Sequence, residues 1–361
     1  MCKTVPALKK SFTQLCTSAR VTSAQLVSLH AKLGFKLPQP SLKSNLIENI
    51  SIQLIDSYLA GSSKKISNFP TCLISLDMGV KNMSLSRFTT PIGSNPILQQ
   101  CIKIDINPKE IQFNPNNYAE ITKKFFFKQI LEPIDDSVDE ITILVERQRF
   151  RTGGRSNVLE TTLKTNTVEA MLYMGTKMWN ELLGKRDKKI NILAIPPGNM
   201  VKFWLNEGKK MNLFDNSDVL SDTESKKFRI DLASKLLLCG LPQNFTEPIK
   251  QDINLDGIEK IFNLDSNIIK SIDINDKSNL KRWKKAWSFK STSRKFYEVC
   301  NLINEFNQSK YQIDQSLWGK TKGDDLADSL LHGLAYWKYY QNRKQLYDCI
   351  LHDKPLHSLL N

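Results

Sequence analysis

The chain has 361 residues, of which 40 % are hydrophobic, and this is enough to bury a core in one large domain or two unequal ones. No apolar run approaches the roughly 18 residues of a membrane span, so an integral membrane protein is excluded. Fifty-one Lys and Arg against 37 Asp and Glu give a net charge of +14, which favours a polyanionic partner such as nucleic acid. Basicity that serves solubility alone is the alternative.

The residue types that bind soft metals are poorly arranged for a metal site. Seven cysteines form no CxxC pair, and four histidines (His30, His332, His352 and His357) show no metal-ligand spacing. A zinc site and a disulfide framework are therefore not expected. Any metal would be held by oxygen ligands, which indicates Mg²⁺ or Mn²⁺.

The N-terminal segment, residues 1–21, is basic, and the first acidic residue of the chain is Glu48. Lysines among many Ser and Thr residues are typical of an organellar transit peptide. A disordered basic arm is the alternative.

Residues 22–60 are predicted to form two helices. "TSAQLVSLHAKLGFK" begins with a Thr/Ser cap and ends at Gly34, and a second helix starts at about Ser41. The pair, with Lys43 near the start of its second helix, resembles the SAP-type DNA-binding module. The alternative is a helical hairpin packed on the main domain. Residues 61–70 read as a Gly/Ser/Lys linker.

From residue 71 to residue 345 we predict one α/β domain with a mixed sheet. Adjacent strands come first and then alternate with helices, which is the order expected for such a sheet. In chain order the predicted elements are the strands "TCLISLDMGV", "NMSLSRF" and "CIKIDI", the helix "YAEITKKFFFKQILEPI", the strand "EITILVE", the helix "VLETTLKTNTVEAMLYMGTKMWNELL" and the strand "KINILAIPP". Residues 346–361 form a C-terminal tail.

Residues 211–225 are polar and acidic, and residues 241–280 show no clear period, so we interpret residues 205–290 as an insertion of mixed order. The following segment "KRWKKAWSFKSTSRK", residues 281–295, mixes basic and aromatic residues, which suits phosphate contact with base stacking. Its predicted DNA contacts are Lys281, Arg282, Lys284 and Lys285. The alternative is a basic helix that buries Trp283 and Trp287 on one face.

Acidic residues end two of the predicted buried strands. Asp77 ends "CLISLD" and Glu146 ends "ITILVE". Taken alone, Asp77 could be a turn residue, and Glu146 could pair with Arg147 or Arg149.

A third group of acids, Asp324, Asp325 and Asp328, lies in the first turns of the helix "DDLADSLLHGLAYW", whose leucines recur at helical spacing. Two carboxylates about 4 Å apart repel by roughly 4 kcal/mol at an effective dielectric near 20. Capping explains one acid, but not one a turn into an apolar helix. The strand acids and helix acids together indicate an oxygen cage for two divalent cations, which would activate a water and stabilise a leaving oxygen.

Three segments, "LISLDMGVKNMSLS", "VERQRFRTGGRSNVLE" and "KGDDLADSLLHGLAYW", occur in this order in the chain. Together they resemble the RNase H-like superfamily and, within it, the fungal mitochondrial Holliday junction resolvases, which are related to RuvC. The resemblance spans about residues 71–340 without the insertion. It implies an RNase H-like fold and a homodimer that acts on four-way junction DNA. By the same resemblance, the helix at 158–183 helps to form the homodimer.

Carried over by resemblance, the catalytic acids fall on Asp77, Glu146 and the helix group. Of that group, Asp325 and Asp328 are the expected metal ligands. RuvC-type spacing favours Asp325 over Asp324 as the partner of Asp328, but the two aspartates are adjacent and either could serve. The loop after Glu146 would contact the phosphate backbone through Arg147, Gln148, Arg149, Arg151 and Arg155. Lys202 in "IPPGNMVKFW" is a further phosphate contact implied by the resemblance.

Two other motifs have simpler explanations. "GKT" at 319–321 lacks the glycine that a P-loop needs five residues earlier, where Asp314 stands, so no nucleotide cofactor is expected. His332 follows Asp328 by one helical turn and could assist proton transfer, although a buried helix histidine is the simpler account.

The resulting hypothesis is a homodimeric, Mg²⁺-dependent endonuclease of the mitochondrial matrix. It would resolve four-way junctions in mitochondrial DNA recombination by paired symmetric nicks. The alternatives are another RNase H-like nuclease, acting on RNA–DNA hybrids or flaps, and a non-catalytic DNA-architectural protein.

Overall fold

A computed structural model describes residues 4–59, 71–91, 93–134, 136–147, 160–182, 189–214, 220–242, 255, 257–272, 276–306 and 323–360. It divides the chain into two compact units. The first comprises residues 1–69, 198–206 and 334–361, and the second comprises residues 70–197 and 207–333. The domain boundaries predicted from the sequence stay predictions.

The first unit contains three consecutive helices, α1 (Val5–Ser18), α2 (Ser23–Leu33) and α3 (Lys43–Leu59). The predicted start and end of α2 are confirmed. Thr22 and Gln25 form a reciprocal capping box, and Gly34 ends the helix with φ of 65°, a left-handed conformation that glycine adopts without steric cost. The likeness to the SAP module stays a prediction.

Helix α1 packs its apolar side into the core of the first unit. Leu8, Phe12 and Cys16 are fully buried, and they share a hydrophobic cluster with residues of α2, α3 and the C-terminal segment. Residues 5–18 therefore form a packed helix rather than the disordered arm that was one reading of the sequence. The C-terminal residues predicted as a tail also contribute, because Leu356 and Leu359 lie in the same cluster.

The second unit is built on a mixed sheet, as predicted. Its strands in the described residues are β1 (Cys72–Asp77), β2 (Met83–Thr89), β3 (Ile97–Ile104), β4 (Glu140–Glu146), β5 (Lys189–Ile195) and β6 (Asn263–Leu264). The spatial order is β5-β4-β1-β2-β3-β6. Strands β1, β2 and β3 are antiparallel neighbours, whereas β4 and β5 run parallel to β1. The predicted mixed sheet flanked by helices is confirmed.

The remaining helices follow in chain order, and two of them, α6 and α11, have residues in both units. Their bounds are α4 (Pro115–Phe125, extended by a π-helical segment Phe126–Leu131), α5 (Glu160–Leu182), α6 (Pro197–Lys210), α7 (Asp222–Gly240), α8 (Ser266–Ser271), α9 (Lys277–Trp287), α10 (Thr292–Phe306) and α11 (Asp324–Leu351). A short helix, α12 (His357–Leu360), follows. None of the helices in the described ranges has the length and apolarity to cross a bilayer.

The segment 205–290, interpreted as an insertion of mixed order, contains regular structure that joins the second unit. Helix α7 has a hydrophobic side that includes Leu232, Leu236 and Leu237, all buried. Strand β6 pairs in parallel with β3. Part of this segment thus belongs to the same compact unit as the sheet.

Helix α11 approaches the sheet closely at its N-terminal half. Leu326 and Leu330 are buried, and Ser329 forms a 2.9 Å hydrogen bond with Ser86 of β2. One turn later Gly333 faces the ring of Phe88, where an added Cβ would lie only 2.4 Å from a ring carbon. These contacts fix the start of α11 beside the strand ends.

Candidate active site

Asp77 and Glu146 end two neighbouring parallel strands, as the sequence predicted. The parallel register of β1 and β4 runs through Leu76 opposite Val145, so the next residues along, Asp77 and Glu146, lie side by side. Their carboxyl groups are hydrogen-bonded to each other. The two strand-end acids therefore meet at one point.

The same row continues across the sheet into two strands that the sequence did not connect with the site. Asp77 is opposite Ser84 of β2, and Ser84 is opposite Lys103 of β3. Residues in one row of a sheet present their side chains on one face. Glu146, Asp77, Ser84 and Lys103 consequently line a single face.

Helix α11 brings three more carboxylates to this face. Its first residue is Asp324, and a hydrogen bond from the backbone N–H of Gly323 to Oγ of Ser293, 2.9 Å long, holds the chain just before it. The charges of Asp325 and Asp328 both act on Asp77 and on Glu146, raising the pKa of each strand acid. Asp324 is not among the main causes of these two pKa shifts.

Lys103 forms an ion pair with Asp325, with 2.6 Å between Nζ and Oδ2. The lysine side chain is only 1 % exposed, so water screens its charge little. This residue was not predicted from the sequence. The signal was a lone lysine in the buried strand "CIKI", where a charge needs a partner.

Arg229 of α7 forms a two-pronged ion pair with Asp328. Its Nε donates to Oδ1 at 2.7 Å and its Nη2 to Oδ2 at 3.2 Å, while Nη1 donates to Oγ of Ser225 at 3.1 Å. The arginine side chain is 13 % exposed. This residue was also missed, because it lies in the segment interpreted as an insertion.

A sequence signal for α7 did exist. Ser221 and Glu224 form a reciprocal capping box ahead of an apolar run, which is a recognisable helix start. The same helix supplies Lys226, whose Nζ lies 2.6 Å from Oδ2 of Asp324. Helix α7 therefore delivers two cations to the acids of α11.

The two adjacent aspartates of α11 have different electrostatic surroundings. Burial would raise the pKa of Asp324, but the hydrogen bond and charge of Lys226 outweigh it and lower the pKa below its usual value. For Asp325, burial prevails over the opposing effect of Lys103 and the pKa is raised. Asp324 is thus neutralised by its ion pair with Lys226 at the edge of the acid cluster, whereas Asp325 belongs to the acidic centre.

The strand-end acids resist ionisation in the free protein. Burial raises the pKa of Asp77 well above its ordinary value, and the charges of Glu146, Asp328 and Asp325 raise it further. Burial and the charge of Asp328 raise the pKa of Glu146 to about 7, against the opposing effect of Arg229. Burial is the main cause of both pKa shifts, and the proximity of like charges adds to it.

His332 lies one turn along α11 from Asp328, with Nε2 3.7 Å from an oxygen of Glu146. Burial lowers its pKa to about 4, so the ring is neutral at physiological pH. Neither ring nitrogen has a hydrogen-bond partner among the described atoms, and the same is true of the buried hydroxyl of Ser84. The site therefore contains unsatisfied polar groups next to its acids.

The acids and the unsatisfied polar groups beside them are the potential ligands of a divalent cation at this site. Within the described ranges, no three His, Cys, Asp or Glu side chains stand together as a ready metal site. The donor chemistry nevertheless suits Mg²⁺ or Mn²⁺, since all the acids offer oxygen and repel one another, and unsatisfied hydroxyl and imidazole groups lie beside them. Two of the acids, Asp325 and Asp328, are held by Lys103 and Arg229.

The predicted DNA contacts are only partly described. Arg147 directly follows Glu146 and is exposed, and its backbone N–H donates to the carbonyl of Ile195. Gln148, Arg149, Arg151, Arg155 and the "GKT" segment lie outside the described residues. Lys43 is the exposed first residue of α3, and Lys202 is exposed on α6; both belong to the first unit.

The basic segment 281–295 begins within α9. Lys281, Arg282, Lys284 and Lys285 are exposed, and Arg282 pairs with Glu305 of α10. Trp283 and Trp287, in contrast, are buried. Of the two interpretations of this segment, the basic helix that buries Trp283 and Trp287 on one face is confirmed, because their spacing of four puts both on the side that packs against the unit.

Comparisons with known proteins found a family and two individual proteins that are similar to this chain. The family profile described as "Mitochondrial resolvase Ydc2 / RNA splicing MRS1" matches residues 73–346. "Cruciform cutting endonuclease 1, mitochondrial" from Saccharomyces cerevisiae is 22 % identical over 299 residues, which cover 79 % of this chain and 72 % of that protein. The crystal structure of the yeast mitochondrial Holliday junction resolvase Ydc2 aligns at 17 % identity with a TM-score of 0.49, covering 92 % of this chain and 99 % of that one.

Proposed function

The chain belongs to the family of the mitochondrial resolvase Ydc2 and the RNA splicing protein MRS1, and on that premise we propose that it is a nuclease that resolves four-way DNA junctions. One observation carries the proposal within the molecule. The acids at the ends of β1 and β4 meet those of α11 on one face of the sheet. A protein that only bound RNA or shaped DNA would gain nothing from this costly arrangement.

The proposed metal ligands are Asp77, Glu146, Asp325 and Asp328, with Mg²⁺ as the cofactor and Mn²⁺ as a substitute. A divalent cation supplies an activated water and charge stabilisation of the leaving oxygen. Asp324 is the least suited of the acids because Lys226 already neutralises it. This supports Asp325 as the partner of Asp328, the choice that the sequence left open.

The side chains around the acids have separate proposed roles. The Asp77–Glu146 pair, whose pKa values are raised, shares a proton in the free protein and gives it up on ion binding. Lys103 and Arg229 orient the helix carboxylates by holding them from two sides. Neutral His332 packs against Glu146 and limits the conformations of its carboxylate. In-line displacement would leave 5′-phosphate and 3′-hydroxyl ends, as in the superfamily.

The basic residues outside the acid cluster are proposed to bind the junction. The exposed lysines and arginine of α9 and the exposed Arg147 carry positive charge that phosphates would neutralise. Arg147 begins the loop that is predicted to contact the DNA backbone. The other predicted contacts in this loop are Gln148, Arg149, Arg151 and Arg155. Lys43, in the SAP-like helices, and Lys202 are proposed as additional phosphate contacts.

Homodimerisation is proposed to involve α5. Four large apolar side chains on this helix are exposed, namely Leu163, Met174, Met178 and Leu182. Together with Phe127 and Trp179, most of them border an apolar groove between α4 and α5. A contiguous row of exposed apolar side chains favours a protein partner. A two-fold symmetric dimer would present two acid clusters to a junction of similar symmetry, giving paired nicks.

The proposed location is the mitochondrial matrix, where the enzyme would act in mitochondrial DNA recombination. The family and the curated relative are both described as mitochondrial, which supports the organelle. The basic N-terminal segment is consistent with an import signal.

A substrate panel tests the proposal. A synthetic four-way junction, a matched linear duplex, an RNA–DNA hybrid, a flap and a structured RNA are incubated with the protein, with and without Mg²⁺. We expect paired, metal-dependent nicks in the junction alone. Equal cutting of the duplex, preference for the hybrid or flap, or binding without cutting would refute junction resolution and favour the corresponding alternative.

A further inference from the structure

We propose that a groove between the end of β3 and helix α4, the β3–α4 groove, binds an acidic amphipathic segment of a partner protein. The groove has a volume of about 680 Å³ and is open to solvent. It lies wholly within the second unit. None of the residues of the acid cluster takes part, so this site is separate from the proposed nuclease site.

Much of the lining of the β3–α4 groove is apolar. The apolar residues come from the end of β3, the loop after it, α4 and its π-helical extension, namely Ile104, Ile106, Ile111, Ile121, Phe125 and Phe127. Of these, Ile111 and Phe127 are 40 % and 44 % exposed. Recessed apolar surface that stays in contact with water favours a ligand with apolar side chains of its own.

The charged residues of the groove are mainly basic. Four lysines and one glutamate line it, namely Lys109, Lys123, Lys124, Lys128 and Glu120. Two of the lysines are paired, one with Glu120 and one with Glu132. Lys109 and Lys124 are exposed, and no Asp or Glu in the described ranges forms an ion pair with either. Carboxylates beside the apolar side chains of a ligand would complement this charge.

Hydrogen bonds hold both walls of the groove in place. On the loop side, Oδ1 of Asn107 accepts from the backbone N–H of Ile111 at 2.9 Å, and its Nδ2 donates to the carbonyl of Ile111 at 3.0 Å. On the helix side, the buried guanidinium of Arg87 donates to the carbonyls of Gln129 and Ile130, at 2.5 and 3.4 Å. Binding to a preformed groove costs less ordering of the protein, which favours affinity.

A buried polar group of the groove lacks a hydrogen-bond partner. Gln129 lines the groove and is only 5 % exposed. Its side-chain oxygen Oε1 accepts no hydrogen bond from the described atoms. A buried acceptor without a donor is costly, and an N–H group of a bound segment would supply the missing donor.

Other occupants fit the β3–α4 groove less well. Nucleic acid would bring phosphates to the lysines but would leave the apolar lining uncovered. A second copy of this chain carries the same net charge of +14 and would be repelled by the basic rim. A lipid surface is flat and contacts protruding side chains, whereas this lining is recessed. A separate protein segment with apolar and acidic side chains meets all the requirements.

The groove lies on the face of the sheet opposite to the acid cluster. Lys103 belongs to the face that carries the acids, and Ile104 follows it in β3. Consecutive residues of a strand project to opposite faces of a sheet. A segment bound beside Ile104 would therefore leave the acid cluster accessible.

The probe for this site is a fluorescein-labelled synthetic peptide of about 16 residues, with leucines at helical spacing and glutamate or glutamine at the other positions. Fluorescence anisotropy measures its affinity for the full chain. One comparison peptide has lysine in place of glutamate, and another has alanine in place of leucine. We expect a dissociation constant below about 100 µM for the acidic leucine peptide and at least roughly tenfold weaker binding of the other two.

Two variants of the groove test the location of binding. Ile111→Glu, and the double variant Lys109→Glu, Lys124→Glu, should each weaken binding of the acidic peptide by at least about tenfold, because both place negative charge against its glutamates. The matched control Lys260→Glu, Lys270→Glu reverses two exposed lysines outside the groove and should leave the affinity unchanged. Circular dichroism checks that each variant is folded, and if one is not, the other decides.

Equal affinity for the acidic and basic peptides, no binding below about 100 µM, or binding that no folded groove variant weakens would overturn the inference. Binding to vesicles of anionic lipid that the groove variants weaken, without binding of the peptide, would assign the groove to a membrane surface instead. Junction cleavage is a separate measurement. A chain that binds the peptide in the groove but cuts no junction refutes only the proposed function.

Discussion

Arg229 and Asp328 lie 99 residues apart in the chain, yet the guanidinium of one donates to both carboxylate oxygens of the other. Through this contact helix α7 is joined to the start of α11, where the acids of the candidate active site lie. A two-pronged pair of this kind fixes the orientation as well as the position of a carboxylate. The site is therefore built from strands and helices that are distant in sequence, and each can be tested separately.

Replacing Asp77 with asparagine should lower the rate of junction cleavage by about 10²–10³-fold or more, because a proposed ligand of the divalent cation that stabilises the transition state is removed. Junction binding should change little, since phosphate affinity depends on the basic residues. Single-turnover cleavage and a gel-shift titration measure the two effects. Asp231→Asn, on the outer side of α7 with a half-exposed side chain, is the matched control. Binding that falls in parallel with cleavage would indicate a structural role for Asp77 instead.

The adjacent aspartates of α11 should respond unequally to the same change. Asp325→Asn is expected to reduce cleavage as strongly as Asp77→Asn, because its charge belongs to the acidic centre. Asp324→Asn should cost less than about tenfold, since that carboxylate is paired with Lys226. Cleavage rates at saturating Mg²⁺ compare the two variants. A larger decrease in Asp324→Asn would reverse the assignment.

Introducing a charge on α5 should break the proposed dimer. Met174 is 59 % exposed and lies in the apolar row of this helix, so Met174→Glu would bury an unpaired carboxylate in the interface. We expect the dimer dissociation constant to rise by about 10²-fold, which corresponds to roughly 3 kcal/mol. Sedimentation velocity over a range of concentrations measures it. Leu42→Glu, at a residue 60 % exposed in the first unit, should leave the dimer intact. An unaltered dimer in Met174→Glu would exclude α5 from the interface.

Removing three exposed lysines of α9 should weaken junction binding mainly through counterion release. For the variant Lys281→Ala, Lys284→Ala, Lys285→Ala, the slope of log affinity against log salt should become less steep by about 0.9 for each phosphate that the variant no longer neutralises. Fluorescence anisotropy at several salt concentrations gives this slope. Lys123→Ala, an exposed lysine paired with Glu120 on α4, serves as the control. An identical slope in the triple variant would show that α9 does not contact DNA.

The close approach of α11 to the sheet makes Gly333 sensitive to a single added methyl group. Gly333→Ala would place Cβ 2.4 Å from the ring of Phe88, so the helix or the ring must shift, at a cost of about 1–3 kcal/mol in the free energy of unfolding. Gly175→Ala on α5 meets open space and should stabilise by about 0.5–1 kcal/mol. Urea unfolding of both variants tests the contrast. Equal stability of Gly333→Ala and wild type would contradict the tight contact.

The prediction from sequence was most accurate where the pattern lies within one element. The strand "ITILVE" and the helix starting at Asp324 were identified because burial imposes a period on consecutive residues. The acids stood out because they interrupt that period at a strand end or a helix start. Trp283 and Trp287 were ambiguous, since a spacing of four fits both a binding face and a buried face; packing decided for the buried one.

By itself the sequence determined the mixed sheet, its helices and the acids at two strand ends and one helix start, because local periodicity records which side of each element is buried. The tertiary structure alone decided which cations meet those acids. Lys103 and Asp325 are separated by 222 residues, and Arg229 and Asp328 by 99, so their pairing depends on how sheet and helices pack and on no local pattern. A buried charge must find its counter-charge across the fold, and only three-dimensional packing specifies where that partner is.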